Sequence, residues 1–158
     1  MIPFLFAAVL VAQAPADPVA VAMNSLTQLN GDWTCKTAQG STVQKHFAIA
    51  PDGNLTLHEG WKNGDNAGTW DQTFRVDSDT HTLSTRNVGS NGWVFTGTSS
   101  GFDGNVIEFD GSQATQVGTV PTREQFTFSK DGQFEHVWIM KIGKDWTPTS
   151  SAECARAR

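Results

Sequence analysis

From Asp32 onward, polar and apolar residues alternate in short runs separated by turn-forming pairs, and a period of two is the signature of half-buried strands. The alternation puts Val43, Phe47 and Ile49 on one face of their segment, Leu55, Leu57 and Trp61 on one face of the next, and Trp70, Phe74 and Val76 on one face of a third. Gln44, His46, Thr56, His58, Asp71, Thr73 and Arg75 take the opposite faces, so one side is apolar and the other wet. Turn signals recur at Pro51-Asp52-Gly53-Asn54, Asn63-Gly64-Asp65, Asp77-Ser78-Asp79, Asn91-Gly92, Asp103-Gly104, Asp110-Gly111, Pro121-Thr122, Asp131-Gly132 and Gly143-Lys144. Between them the pattern predicts strands near Asp32–Thr37, Thr42–Ala50, Leu55–Lys62, Thr69–Val76, Thr82–Asn87 and Trp93–Thr98. Further strands are predicted near Val106–Phe109, Ala114–Val120, Arg123–Ser129, Gln133–Ile142 and Trp146–Ala152. No helix of ordinary length competes with them; Asp17–Thr27 has no sustained period and reads as a linker, with a single turn of helix near Ser25–Leu29.

Asp-Gly and Asn-Gly tolerate the positive φ values of tight hairpins, so neighbouring strands are expected to be antiparallel. An open meander of about ten strands leaves two unpaired edges, and closing it into a barrel removes both. Cys35 and Cys154 lie on the first and last strands, which are neighbours in an up-and-down barrel. A sandwich would also bring the termini together. The expected fold is all-β, an antiparallel up-and-down meander closed into a barrel.

Composition sharpens this only in places. A chain of 158 residues suits one domain, and 15 glycines, 10 phenylalanines and 6 tryptophans without tyrosine suit short strands joined by tight turns. A net charge of −5 with scattered Lys and Arg gives no attraction for phosphate backbones, so nucleic acid is not an expected partner. Pro3 to Ala14 is apolar but short for a membrane span, and Ala-x-Ala patterns follow at Ala12-Gln13-Ala14, Ala14-Pro15-Ala16 and Ala20-Val21-Ala22. Residues 1–22 are therefore expected to be a secretory signal, with a retained anchor as the alternative, and 23–158 the barrel domain, ordered from about Leu26–Leu29. Export to a periplasmic or extracellular space favours a disulfide between Cys35 and Cys154 over two thiols.

Gly31-Asp32-Trp33 follows a short lead-in and opens the first strand, which is similar to the Gly-x-Trp motif of lipocalins and, more loosely, of calycin barrels. The cysteine pair linking an early strand to the C-terminus, and the chain length, are similar as well. Trp138, Trp146 and the Cys154-Ala155-Arg156 tail resemble small secreted bacterial barrels of uncharacterised function. The resemblance implies a calycin-like barrel with Arg123 as counterpart of the arginine that packs over the motif tryptophan, and it transfers no catalytic residue. Gly31 to Cys35 then reads as a closure device of the fold.

Trp61, Trp70, Trp93 and Trp138 each fall inside a predicted strand. Aromatic residues lining a barrel can hold an apolar ligand by stacking, or can simply fill the core. In the segment from Phe134 to Met140, alternation puts Phe134, His136, Trp138 and Met140 on one face and Val137 and Ile139 on the other, a strand expected to be buried on both sides. A histidine on so apolar a face is a haem ligand, a proton-transfer group or a neutral, hydrogen-bonded core residue. His46, His58 and His81 lie on separate segments without metal-ligand spacing, and Asp103-Gly104-Asn105 lacks the full spacing of a calcium loop. Glu59, Glu108, Glu124, Glu135 and Asp71 are acid or base candidates that sequence alone does not pair, and no nucleophile or phosphate-loop motif accompanies them. The expected function is binding of a small hydrophobic or aromatic molecule by Trp61, Trp70, Trp93, Phe134, His136, Trp138 and Met140, with no cofactor required. A cell-envelope interaction domain with a filled core is the alternative, ahead of a haem barrel or a small-molecule isomerase or hydrolase.

Overall fold

The computed structural model describes residues 17–157 except Gly64 and Ser78. The part of the expected signal that covers residues 1–16 lies outside the described residues. The first element is a helix, α1, over Pro18–Thr27, where the sequence pattern had suggested a linker. Asp17 caps it, its carboxylate accepting from the Val19 amide at 3.0 Å, and Pro18 occupies the first turn with its φ already suited to a helix. Val19, Ala22 and Leu26 are buried and recur at helical spacing, so one stripe of α1 faces the barrel. The domain boundary expected between residues 22 and 23 falls inside this helix.

Eleven strands follow: β1 Gly31–Thr37, β2 Thr42–Ile49, β3 Leu55–Asn63, β4 Asn66–Asp77, β5 Thr82–Gly89, β6 Val94–Ser99, β7 Phe102–Asp103, β8 Val106–Thr115, β9 Gly118–Phe128, β10 Phe134–Ile142 and β11 Asp145–Arg156. Each pairs antiparallel with its sequence neighbour, except that β6 skips the two-residue β7 to pair with β8. The β1–β11 pairing closes the circle. The result is a closed ten-stranded antiparallel barrel, consistent with a calycin-like fold; lipocalin barrels have eight strands.

Cys35 and Cys154 stand directly opposite each other in the β1–β11 register and form the disulfide at that seam. Bridging 119 residues of sequence separation restricts the unfolded chain by about 4 to 5 kcal/mol in the chain-entropy account. Trp33 is buried at the end of the barrel that α1 covers, its indole Nε1 donating to the Leu29 carbonyl at 2.6 Å. The arginine over this indole is Arg156, at 4.7 Å from the ring, with its guanidinium also donating to the carbonyls of Gln28 and Asn30. Arg123 instead lies over Trp146 at 4.1 Å, with Glu108 and Asp110 beside it. Parity explains the exchange: Glu124 points inward, so its neighbour Arg123 must point out.

Two expected turns are strand interior. Asp110-Gly111 lies within β8 and Pro121-Thr122 within β9, so the hairpin between them turns at residues 116–117 instead. Gly111 is needed there for close approach rather than for a turn, since a Cβ would sit 2.0 Å from the Thr96 carbonyl oxygen on β6. Ile49 and Val76, expected on apolar faces, are 51% and 42% exposed at or next to the ends of their strands. The outer face of β10 is also less covered than expected, with Val137 and Ile139 half-buried and Glu135 exposed.

Candidate functional site

The interior changes character from one end to the other. Near α1 it is filled: Phe47, Phe74, Phe109, Phe126 and Phe134 are all buried, with ring centroids of contacting pairs 5.6 to 6.4 Å apart. Along β10 the inward residues Phe134, His136, Trp138 and Met140 lead from this packed layer toward the opposite mouth. Phe134 belongs to the closed end, edge-on to Trp33 at 4.9 Å, and does not reach the cavity. His136, Trp138 and Met140 do reach it, together with Trp61, Trp70 and Trp93. Six of the seven residues proposed for binding on sequence grounds thus line one cavity of about 470 Å³.

The cavity walls are shaped by cross-strand glycines. Trp61 is paired with Gly68, and Trp70 with Gly89. A Cβ at Gly68 would lie 2.6 Å from the Trp61 ring, and one at Gly89 would lie 2.9 Å from the Trp70 ring. Each indole therefore lies across the space that a side chain on the neighbouring strand would occupy. Trp70 and Trp138 present nearly parallel faces, 30° apart with centroids at 6.4 Å, while Phe95 meets Trp138 edge-on at 5.0 Å. A register shift between Trp138 and Ile139 inserts Thr149 into β11 as an extra residue. This bulge accommodates Pro148, which has no amide to give the ladder, and brings Thr149, Ser150 and Ser151 all to the cavity rim.

Beneath the indoles, a chain of polar side chains crosses the barrel and separates the cavity from the phenylalanine layer. Lys45 and Glu59 are directly opposite on β2 and β3 and form an ion pair, with the lysine side chain 1% exposed. Lys45 Nζ also lies 3.1 Å from His136 Nδ1, and His136 Nε2 lies 2.8 Å from Glu124 Oε1. Gln72 on the far wall reaches Glu124 Oε2 at 2.6 Å and Thr85 at 2.8 Å, and Asn87 reaches Gln72 at 3.3 Å.

These contacts fix the protonation pattern. An ammonium can only donate, so His136 must accept at Nδ1 and carry its proton on Nε2, which donates to Glu124. Burial, with the neighbouring Lys45 charge, pushes the His136 pKa well below 6.5 and keeps it neutral. Burial also raises the Glu124 carboxyl to about 8, against the opposing pull of Gln72 and Lys45. The close His136–Glu124 contact is therefore a hydrogen bond between neutral groups rather than an ion pair. Gln72 donates through Nε2 to Glu124 Oε2 and accepts from Asn87 at its own Oε1. Fully buried and neutral, these groups rigidify the floor.

The fold leaves the other candidates elsewhere. His46 and His58 face outward beside Asp32 and Asp71, at 2.7 Å each, and His81 meets the cap residue Asp17 at 2.9 Å. Glu108 is on the outer surface near Arg123, and Glu135 and Asp71 are exposed. Among the described residues no cluster of three or more metal-ligating side chains forms. Both nitrogens of His136 are engaged, so neither is presented to the cavity as an axial ligand for haem. Lys45, Gln72 and Gln113 are interior residues that the sequence reading passed over; Lys45, between Val43 and Phe47 on an inward face, carried a visible signal of this. No protein-family model matches the chain, and no curated protein aligns with it significantly.

Proposed function

We propose that the protein is an exported β-barrel that binds a small apolar or aromatic molecule in the tryptophan-lined cavity. The observation that carries this reading is the asymmetry of the interior: phenylalanines fill the end under α1, whereas four indoles and Met140 surround about 470 Å³ at the other. Cavities of this size, with apolar walls and few polar groups, suit small organic ligands. Ligand binding is favoured over a filled interaction domain because a filled barrel needs no such space. Kinship with lipocalins in particular is supported by Gly31-Asp32-Trp33 and by Arg156 over the Trp33 ring. Export is supported by the Cys35–Cys154 disulfide and by the apolar leader.

The test is titration with N-phenyl-1-naphthylamine, an uncharged dye that accepts excitation energy from tryptophan. Saturable, equimolar binding with sensitised dye emission is expected, and Ser150→Trp at the rim should block it without touching the floor. Unsaturable binding, or binding unchanged in Ser150→Trp, would remove the reading.

A further inference from the structure

The chemistry of the cavity floor narrows the ligand class, an inference that rests on the ligand-binding reading above. Charge is balanced where the ligand would end. Lys45 is paired with Glu59 across one strand boundary, so an anion drawn to the ammonium would meet the carboxylate beside it, and a cation drawn to the carboxylate would meet the ammonium. The next groups, His136 and Glu124, use their polar atoms on each other, on Lys45 and on Gln72.

Hydrogen-bonding capacity, by contrast, is left over. Gln113 lines the cavity from β8, is 3% exposed, and its Oε1 is buried with no hydrogen-bond partner among the described residues. Glu59 meets Lys45 through Oε2 only. A buried carbonyl without a donor is costly, and a ligand that supplies one recovers that cost. The walls above are indole faces, two of them nearly parallel, which favour a flat ring.

We propose that the cavity selects an uncharged, flat aromatic molecule whose polar edge carries an N–H donor beside an acceptor, as a primary aromatic amide does, with that edge docked on Gln113. Carboxylate ligands such as fatty acids are disfavoured by Glu59, and ammonium ligands by Lys45.

Equilibrium dialysis of the full chain against four probes of one ring size tests this: naphthalene-2-carboxamide, 2-naphthoate, 2-naphthylmethylammonium and naphthalene. The amide should bind at least about tenfold more tightly than each of the others, since a site built to hydrogen-bond rejects analogues that lack the bond. Gln113→Leu should bring the amide down to the affinity of naphthalene while leaving naphthalene unchanged. The proposal is overturned if either charged probe matches the amide, or if Gln113→Leu preserves the preference for it. The wild-type ratios decide the matter even if that variant does not fold. Binding of naphthalene without any preference for the amide would overturn the ligand class alone. Failure of all four probes would overturn the ligand-binding reading with it.

Discussion

Replacing Glu124 by Gln should alter the pH dependence of stability in one direction. Burial raises the carboxyl from its ordinary value of 4.5 to about 8, so the folded protein keeps a proton that the unfolded chain has already lost. The contribution of this group is complete below the unfolded value and is lost as the pH climbs toward the folded one, at roughly 1.4 kcal/mol per pH unit. His136 runs the other way: its pKa is pushed below 6.5, so its contribution is complete above 6.5 and is lost as the pH falls. Between 4.5 and 6.5 each state holds one proton, on Glu124 when folded and on His136 when unfolded, and the two effects cancel. From 6.5 to about 8 only the folded state holds one, and this pair costs the wild type about 2 kcal/mol over that interval.

Gln at position 124 can still accept from His136 and, through the same amide oxygen or after an amide flip of Gln72, stay within the floor network, while losing the titration. Urea unfolding at pH 5, 6, 7 and 8 measures the difference between the two proteins, in which other titrating groups drop out. The variant should gain on the wild type with rising pH, by about 1.4 kcal/mol per unit. A difference that stays flat over this range, as it would for a Glu124 ionised in both states, would refute the neutral-acid assignment.

Replacing both Cys35 and Cys154 by Ala should lower stability by about 4 to 5 kcal/mol, read from urea midpoints, because the seam staple no longer restrains the unfolded chain. A chain beginning at Met23 should be less stable than one beginning at Asp17 by at least about 2 kcal/mol, since Val19 and Ala22 leave the core. Equal midpoints for the two chains would show that the first half of α1 contributes nothing. Gly89→Ala should push the Trp70 ring aside, costing about 1 to 3 kcal/mol as overpacking and shifting the indole emission; an unchanged spectrum would contradict the placement of Trp70 across Gly89.

How much of this was legible in the sequence depends on what each feature requires. Alternation needs only neighbours in the chain, so most strands, the inward Trp61, Trp70 and Trp138 and the pairing of the two cysteines could be read directly. The split of β8 and β9 failed because Asp110-Gly111 and Pro121 look like turns, whereas Gly111 is small to let β6 pass and Pro121 sits where a strand continues. Helix α1 was missed although Val19, Ala22, Met23 and Leu26 recur at helical spacing after an Asp-Pro start; its stripe is short and follows an apolar run in the sequence, which blurs the period. The polar floor was hidden for a different reason. Lys45 meets Glu59, and Trp61 meets Gly68, only once strand register is known, and Gln72 meets Glu124 only once the barrel closes. The arginine over Trp33 was assigned to the wrong position because Arg156 approaches from the last strand, across the seam.

The central claim, that the upper half of the barrel is a ligand site, is tested most directly by a crystal structure of the protein soaked with 6-bromonaphthalene-2-carboxamide. A bromine anomalous peak among Trp61, Trp70, Trp93 and Trp138 is the expected result. Indoles collapsed into that space, or bromine bound only on the outer surface, would contradict it.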